Sequence, residues 1–199
     1  MRAMSPRSKY WINGAVLRIR FMGGTPEQRK AVTQLAEEWT RYGNLRFAFG
    51  ATSDAEIRVS FEEHNGSWSY IGTDARAVPA EFPTMNLAIV DRATVLHQFG
   101  RAIGFGPEHQ NPAGGIGWNE SAVIAELAGA PNYWSEETTR RQFLTRYKSE
   151  RVNGTAFDPK SIMLMPIPAR WTLNGIGVSP NETLSVLDKA LVQKAYPQS

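Results

Sequence analysis

One stretch constrains this chain more than any other: ATVLHQFGRAIG at residues 93–104, followed by FGPEHQNPAGGIGW. The first part reads as a helix that ends at Gly104, and the second as a long Gly/Pro/Asn-rich passage. On such a helix His97 and Arg101 stand one turn apart on the same face. An imidazole and a guanidinium on one face, next to a glycine turn, mark this helix as the place to look for chemistry. The sequence contains no cysteine. That removes disulfides, thiolate metal sites and a cysteine nucleophile together, and leaves the redox compartment open.

Around this helix the pattern is that of one mixed domain. At 199 residues the chain can bury a sizeable core. Its 42% hydrophobic and 21% charged content is ordinary for a globular protein. Residues 1–14 read as a polar lead-in, and 15–199 as a single domain with an upper half to about 104 and a lower half beyond it. AVLRIRF (15–21) alternates as a half-buried strand, with Leu17, Ile19 and Phe21 on one face and Arg18 and Arg20 on the other. A helix follows: Thr25 is suited to the N-cap, Pro26 to the first turn and Gln28 to a capping box. Val32, Leu35, Ala36 and Trp39 form its buried stripe, and Gly43 is expected to end it.

LRFAFG (45–50), AEIRVSF (55–61), SWSYIGT (67–73) and TMNLAIV (84–90) complete an expected five-stranded sheet. Helices are expected at 119–129, 135–150 and 181–196, with Asn119 and Asn181 as N-caps. Between the last two lies the irregular FDPKSIMLMPIPARWT. No internal repeat is present.

The formal charge of +3 is spread over scattered basic residues, so no nucleic-acid partner is expected. No apolar run reaches membrane-spanning length. The basic start lacks an apolar signal region, which implies a cytoplasmic chain or one secreted from a longer precursor. The sequons at Asn65, Asn119, Asn153 and Asn181 bear only on the second case.

Zinc hydrolysis on a helix requires two histidines four residues apart, a glutamate beside the first, and a glycine turn that returns a third histidine. A separate methionine turn underlies the site. Gly104, EHQNP (108–112) and SIM (161–163) match that scheme together. The chain therefore resembles the metzincins, close to the astacin-like and matrixin-like zinc endopeptidases, over nearly its whole length. The resemblance implies an α+β, zincin-like fold: a twisted five-stranded mixed sheet, two long helices, and a mostly helical and irregular C-terminal half. It places Met163 as the methionine of the Met-turn, and Thr84, Met85, Asn86 and Leu87 in the cleft's edge strand.

At the positions that carry the family's chemistry the sequence departs from it. Of the metal-ligand positions only His97 is a histidine; Arg101 and Pro107 occupy the other two. Gln98 stands at the general-base position and cannot take a proton from water at neutral pH. Met165 stands where a tyrosine is often found. A full structural zinc site contributes about 10–16 kcal/mol, most of which goes with two of three ligands. A guanidinium about 5 Å from a dication adds roughly 2–7 kcal/mol of repulsion. The family's cofactor is Zn²⁺, and none is expected here.

Glu108 and His109 are the nearest substitute ligands, although their place in EHQNP is structural, and His64 reads as a surface histidine. Arg101 is expected either to fill the metal cavity, paired with Glu108 or with a ligand carboxylate, or to extend into solvent. Three functions follow. The first is a catalytically dead peptidase homologue, a monomer that retains an extended peptide or protein ligand in its cleft. The second is an active endopeptidase with ligands rebuilt from His97, His109 and Glu108. The third is a chain without a binding role of its own, or a structural partner of an active homologue.

Overall fold

The computed structural model describes residues 9–51, 53–130, 132–147 and 156–198. Strand β1 (Val16–Phe21) is followed by α1 (Pro26–Thr40), then β2 (Arg46–Phe49), β3 (Ile57–Ser60), β4 (Trp68–Ser69) and β5 (Met85–Asn86). The sheet order is β2-β1-β3-β5-β4. All neighbours are parallel except β4, which runs antiparallel to β5 with Trp68 opposite Asn86. The expected α+β fold with a five-stranded mixed sheet is present.

Local chemistry sets these elements. Thr25 and Gln28 form the reciprocal capping box at the start of α1, with Pro26 in the first turn. Val32, Ala36 and Trp39 are its buried face. Gly43 does not cap the helix. A Cβ there would stand 2.9 Å from Val192 Cγ2, so the position is small because the last helix, α5 (Val186–Ala195), passes close by.

Helix α2 (Arg92–Ala102) is capped by Asp91, whose carboxylate accepts from Thr94 N at 2.7 Å. Trp39 Nε1 donates to Leu96 O at 2.9 Å and joins the two long helices. Gly104, at φ +104°, turns the chain away from the helix. Lys9–Asn13 join the packed body rather than forming a polar approach. Trp11 is buried, its Nε1 donates to Ala102 O at 2.8 Å, and its backbone N–H reaches Tyr196 Oη. Residues 1–8 lie outside the described residues.

The lower half holds α3 (Glu120–Leu127), α4 (Glu136–Thr139) continuing as a π-helical stretch Arg140–Leu144, and α5 (Val186–Ala195). Asn119 caps α3 as expected. The helix expected over 135–150 stops at Leu144, and 148–150 lie outside the described residues. The helix expected from 181 begins only at Val186, with Ser185 as its cap. Asn181 instead donates to the carbonyls of Pro159 and Ser161 at 3.0 and 2.9 Å, holding the segment before Met163.

The strand expected to border the cleft is an interior strand. Thr84, Met85, Asn86 and Leu87 are all buried, and β5 lies between β3 and β4. Asn86 is consumed inside the sheet, where its Oδ1 accepts from Ser60 Oγ and Glu62 N at 2.7 and 2.8 Å. Interior and edge strands share the same alternation, and the edge is formed instead by β4, within the strand expected at 67–73.

Helix α2 lies directly on the Met-turn. A Cβ on Gly100 would stand 2.4 Å from Met163 Sδ and 2.8 Å from Trp39 Cζ2. Gly100→Ala is therefore expected to lose about 1–3 kcal/mol through overpacking, read as a lower urea midpoint. An unchanged midpoint would mean that the helix does not rest on Met163.

Candidate active-site cleft

A cavity of about 900 Å³ runs between the edge of the sheet and the lower half. His97, Gln98 and Arg101 of α2 line one wall, with Trp68 of β4. Pro107, His109, Phe143, Tyr147 and Met165 contribute from the other side. The fold brings His97, Gln98, Arg101, Pro107, His109 and Met165 to one cavity.

His97 is held by one bond: its Nδ1 lies 2.9 Å from Ile162 O. That is the orientation of a metal-binding histidine, with one ring nitrogen on a backbone carbonyl and the other left for the cleft. Burial, and then the charge of Arg101, pushes its pKa down to about 4. Met163 is buried beneath the helix, and its carbonyl accepts from Glu108 N at 2.9 Å.

Gln98 and Arg101 both reach across to β4. Gln98 Nε2 donates to Ser67 O at 3.3 Å and Arg101 Nε to Ser69 O at 3.0 Å. Tyr70 N–H donates to Thr84 O, so Trp68 and Tyr70 face β5 and the carbonyls of Ser67 and Ser69 face the free edge. The two side chains therefore occupy the edge that borders the cleft. Arg101 remains in the cleft instead of extending into solvent. Burial lowers its pKa, yet a guanidinium stays charged.

Glu108 does not pair with Arg101. Its Oε1 accepts from Asn111 Nδ2 at 2.7 Å and from Asp158 N at 2.9 Å, inside the lower half. Burial raises its pKa to about 7. His109 is buried with both ring nitrogens unpartnered, stacked on Phe143 at 4.4 Å between centroids. Burial, then His97 and Arg101, depress its pKa to about 3. His64 is exposed on the turn Glu63–Asn65, away from the cleft. Sequence reasoning did not find Asp188. Its carboxylate accepts from Ser161 Oγ, Ile162 N and Ser185 N at 2.6, 2.8 and 2.9 Å and so fastens the Met-turn to α5. Its only signal was its place in the capping box of α5.

No family model and no curated protein matches the chain. Among solved structures, one of myroilysin superposes with a TM-score of 0.93 at 37% identity, covering 99% of this chain and 100% of that one. The chain belongs to the astacin-like metzincins. A second myroilysin structure gives 0.77 at 37% identity over 96% of this chain and 87% of that one. High choriolytic enzyme 1, a hatching enzyme zinc-protease from the medaka fish Oryzias latipes, gives 0.63 at 16% identity over 94% and 93%, a likeness of fold.

In this astacin-like chain the residues present do not fit the zinc that the family implies. Among the described residues no three His, Asp or Glu side chains converge so as to hold a metal ion. His97 keeps a ligand's posture, but Arg101 brings a fixed positive charge to the same wall, and Pro107 has no side-chain donor atom. Glu108, the acidic member of the substitute set, is turned into the network with Asn111 and Asp158.

The titrations pull stability in opposite directions. His97 and His109 sit at about 4 and about 3, below the ordinary 6.5. The unfolded chain takes up their protons first, so their contribution is complete above about 6.5 and is lost as pH falls toward 4 and then 3. Glu108, at about 7 against 4.5, contributes fully below about 4.5 and loses its contribution as pH rises to 7. With urea midpoints measured from pH 7 to 4, His109→Phe is expected to flatten the acid loss and Glu108→Gln to steepen it. The reverse order would contradict these environments.

Proposed function

We propose that this chain is a metzincin-type peptidase homologue that no longer hydrolyses peptides and that binds an extended peptide along its cleft. One observation carries the reading: Arg101, at the second ligand position of the motif, lies in the cleft with His97 and is bonded to Ser69 O. A cation beside the His97 imidazole repels a dication by several kcal/mol at about 5 Å, and no carboxylate among the described residues pairs with that cation to offset it. Gln98 supports the same conclusion, because an amide cannot accept water's proton, and its Nε2 is already given to Ser67 O. Met165 has no hydroxyl to place near an oxyanion.

The cleft itself persists. Its volume is in the range of sites that bury several ligand groups, and Trp68, Trp134 and Trp171 give it apolar walls. The proposed ligand is a peptide, bound by a monomer, with no nucleic-acid or membrane partner. No helix among the described residues is long and apolar enough to cross a membrane.

The second reading, an active endopeptidase with rebuilt ligands, is favoured by the ligand-like posture of His97 and by the second neutral imidazole at His109. Metal analysis separates the two. After dialysis the purified chain is expected to retain far less than one equivalent of zinc and to leave casein intact. Chelator-sensitive cleavage, or one equivalent of zinc lost on changing His97 and His109, would establish the second reading instead. The combined change Gln98→Glu, Arg101→His, Pro107→His and Met165→Tyr is expected to restore zinc binding. A folded quadruple variant that binds none would show that the cleft no longer has the family's geometry.

A further inference from the structure

We propose that the cleft recognises a carboxylate on its extended peptide ligand and that Arg101 is the residue that receives it. The inference rests on the non-catalytic reading and names the chemistry of the ligand.

Arg101 presents five N–H donors, and one of them, at Nε, is given to Ser69 O. No carboxylate pairs with it among the described residues. Glu108, the nearby acid in sequence, accepts at Oε1 from Asn111 Nδ2 and Asp158 N inside the lower half, and its Oε2 is buried without a partner among the described residues. A half-buried guanidinium without an anion is an incomplete arrangement, because such a charge is ordinarily paired. The bond to Ser69 O steadies the planar group beside the edge strand, and among the described residues no other hydrogen bond engages its fork, which leaves the terminal nitrogens for bidentate pairing, the geometry that matches a carboxylate.

Two neighbours are also incomplete. Gln98 Oε1 is buried without a partner, as are both nitrogens of His109, and both residues line the same cavity as Arg101. Buried polar atoms left open on both sides of the cavity point to a polar ligand or ordered water supplied from outside. The charge of the whole lining agrees. Arg141 and Arg146 join Arg101, whereas the lining carboxylate is Asp91, already engaged as the N-cap of α2. The field in the cleft therefore attracts anions. The carboxylate can be a peptide's C-terminus or an aspartate or glutamate side chain.

Calorimetry with three probes decides. The first is an alanine-based hexapeptide with a central glutamate and both termini blocked. The second is its glutamine counterpart, also blocked, and the third is the glutamine peptide with a free C-terminus. One or both carboxylate peptides are expected to bind at least about tenfold more tightly than the neutral one, the scale of one charge-assisted pair. Whichever of the first and third binds better identifies the source. The preference is expected to shrink with added salt, to vanish in Arg101→Gln, to fall part-way in Arg101→Lys, and to survive in Arg141→Gln. Equal binding of all three peptides by the unaltered protein would overturn the proposal, whether or not the variants fold. So would a preference that persists in Arg101→Gln but disappears in Arg141→Gln. Chelator-sensitive cleavage of the probes would defeat the non-catalytic reading instead, a result separable from loss of the carboxylate preference.

Discussion

The contact between helix α2 and the turn beneath it governs the rest of this structure. Gly100 allows Met163 Sδ and the Trp39 ring to approach closer than any side chain at that position would permit. Asp188 then holds the turn from below through Ser161 and Ile162, and Ile162 O in turn orients His97. One buried carboxylate on α5 thus fixes the angle of an imidazole on α2 through a single loop. Asp188 keeps this role although burial raises its pKa, because three donors converge on its oxygens. The scaffold of a metal site therefore persists independently of the metal ligands themselves.

Whatever rests on local pattern could be read along the chain. The capping box at Thr25, the stripe on α1 and the helix ending near Gly104 all depend on residues within a few positions of one another, whereas Met163 is placed by the family resemblance. What could not be read depends on pairing between distant segments. TMNLAIV has the composition of a strand, but whether it lies inside the sheet or on its rim is decided by Trp68–Ser69, two residues long and adjacent only in space. The same holds for Asn181. A polar residue before a helix suggests a cap, and only the folded chain reveals that its amide serves the carbonyls of Pro159 and Ser161. At the site, the identities of His97, Gln98, Arg101 and Pro107 were legible. The partners of Arg101 and Glu108 were not, because side-chain direction within a cleft is set by the opposite wall.

The two α2 residues that replace a base and a ligand do something definite in their new form. Gln98 and Arg101 donate to successive outward carbonyls of β4, cross-linking the helix to the strand that borders the cleft. Outward carbonyls on an edge strand are the groups an added peptide strand would use. Covering them protects a short edge from unwanted pairing. It also leaves fewer backbone acceptors on that edge for strand addition.

Arg101 sets the fixed charge beside the two imidazoles of the cleft. A guanidinium cannot give up its proton, so it acts as a permanent unit charge against which both nearby imidazoles are measured. His97 and His109 respond by remaining neutral well into the acid range, each lowered first by burial and further by that charge. The result is a fixed cation beside two uncharged rings. A dication entering beside Arg101 would meet the repulsion of its guanidinium. An anion meets the opposite situation. The same burial that makes a second cation costly strengthens the attraction for a carboxylate, since both effects scale with the inverse of the local dielectric constant.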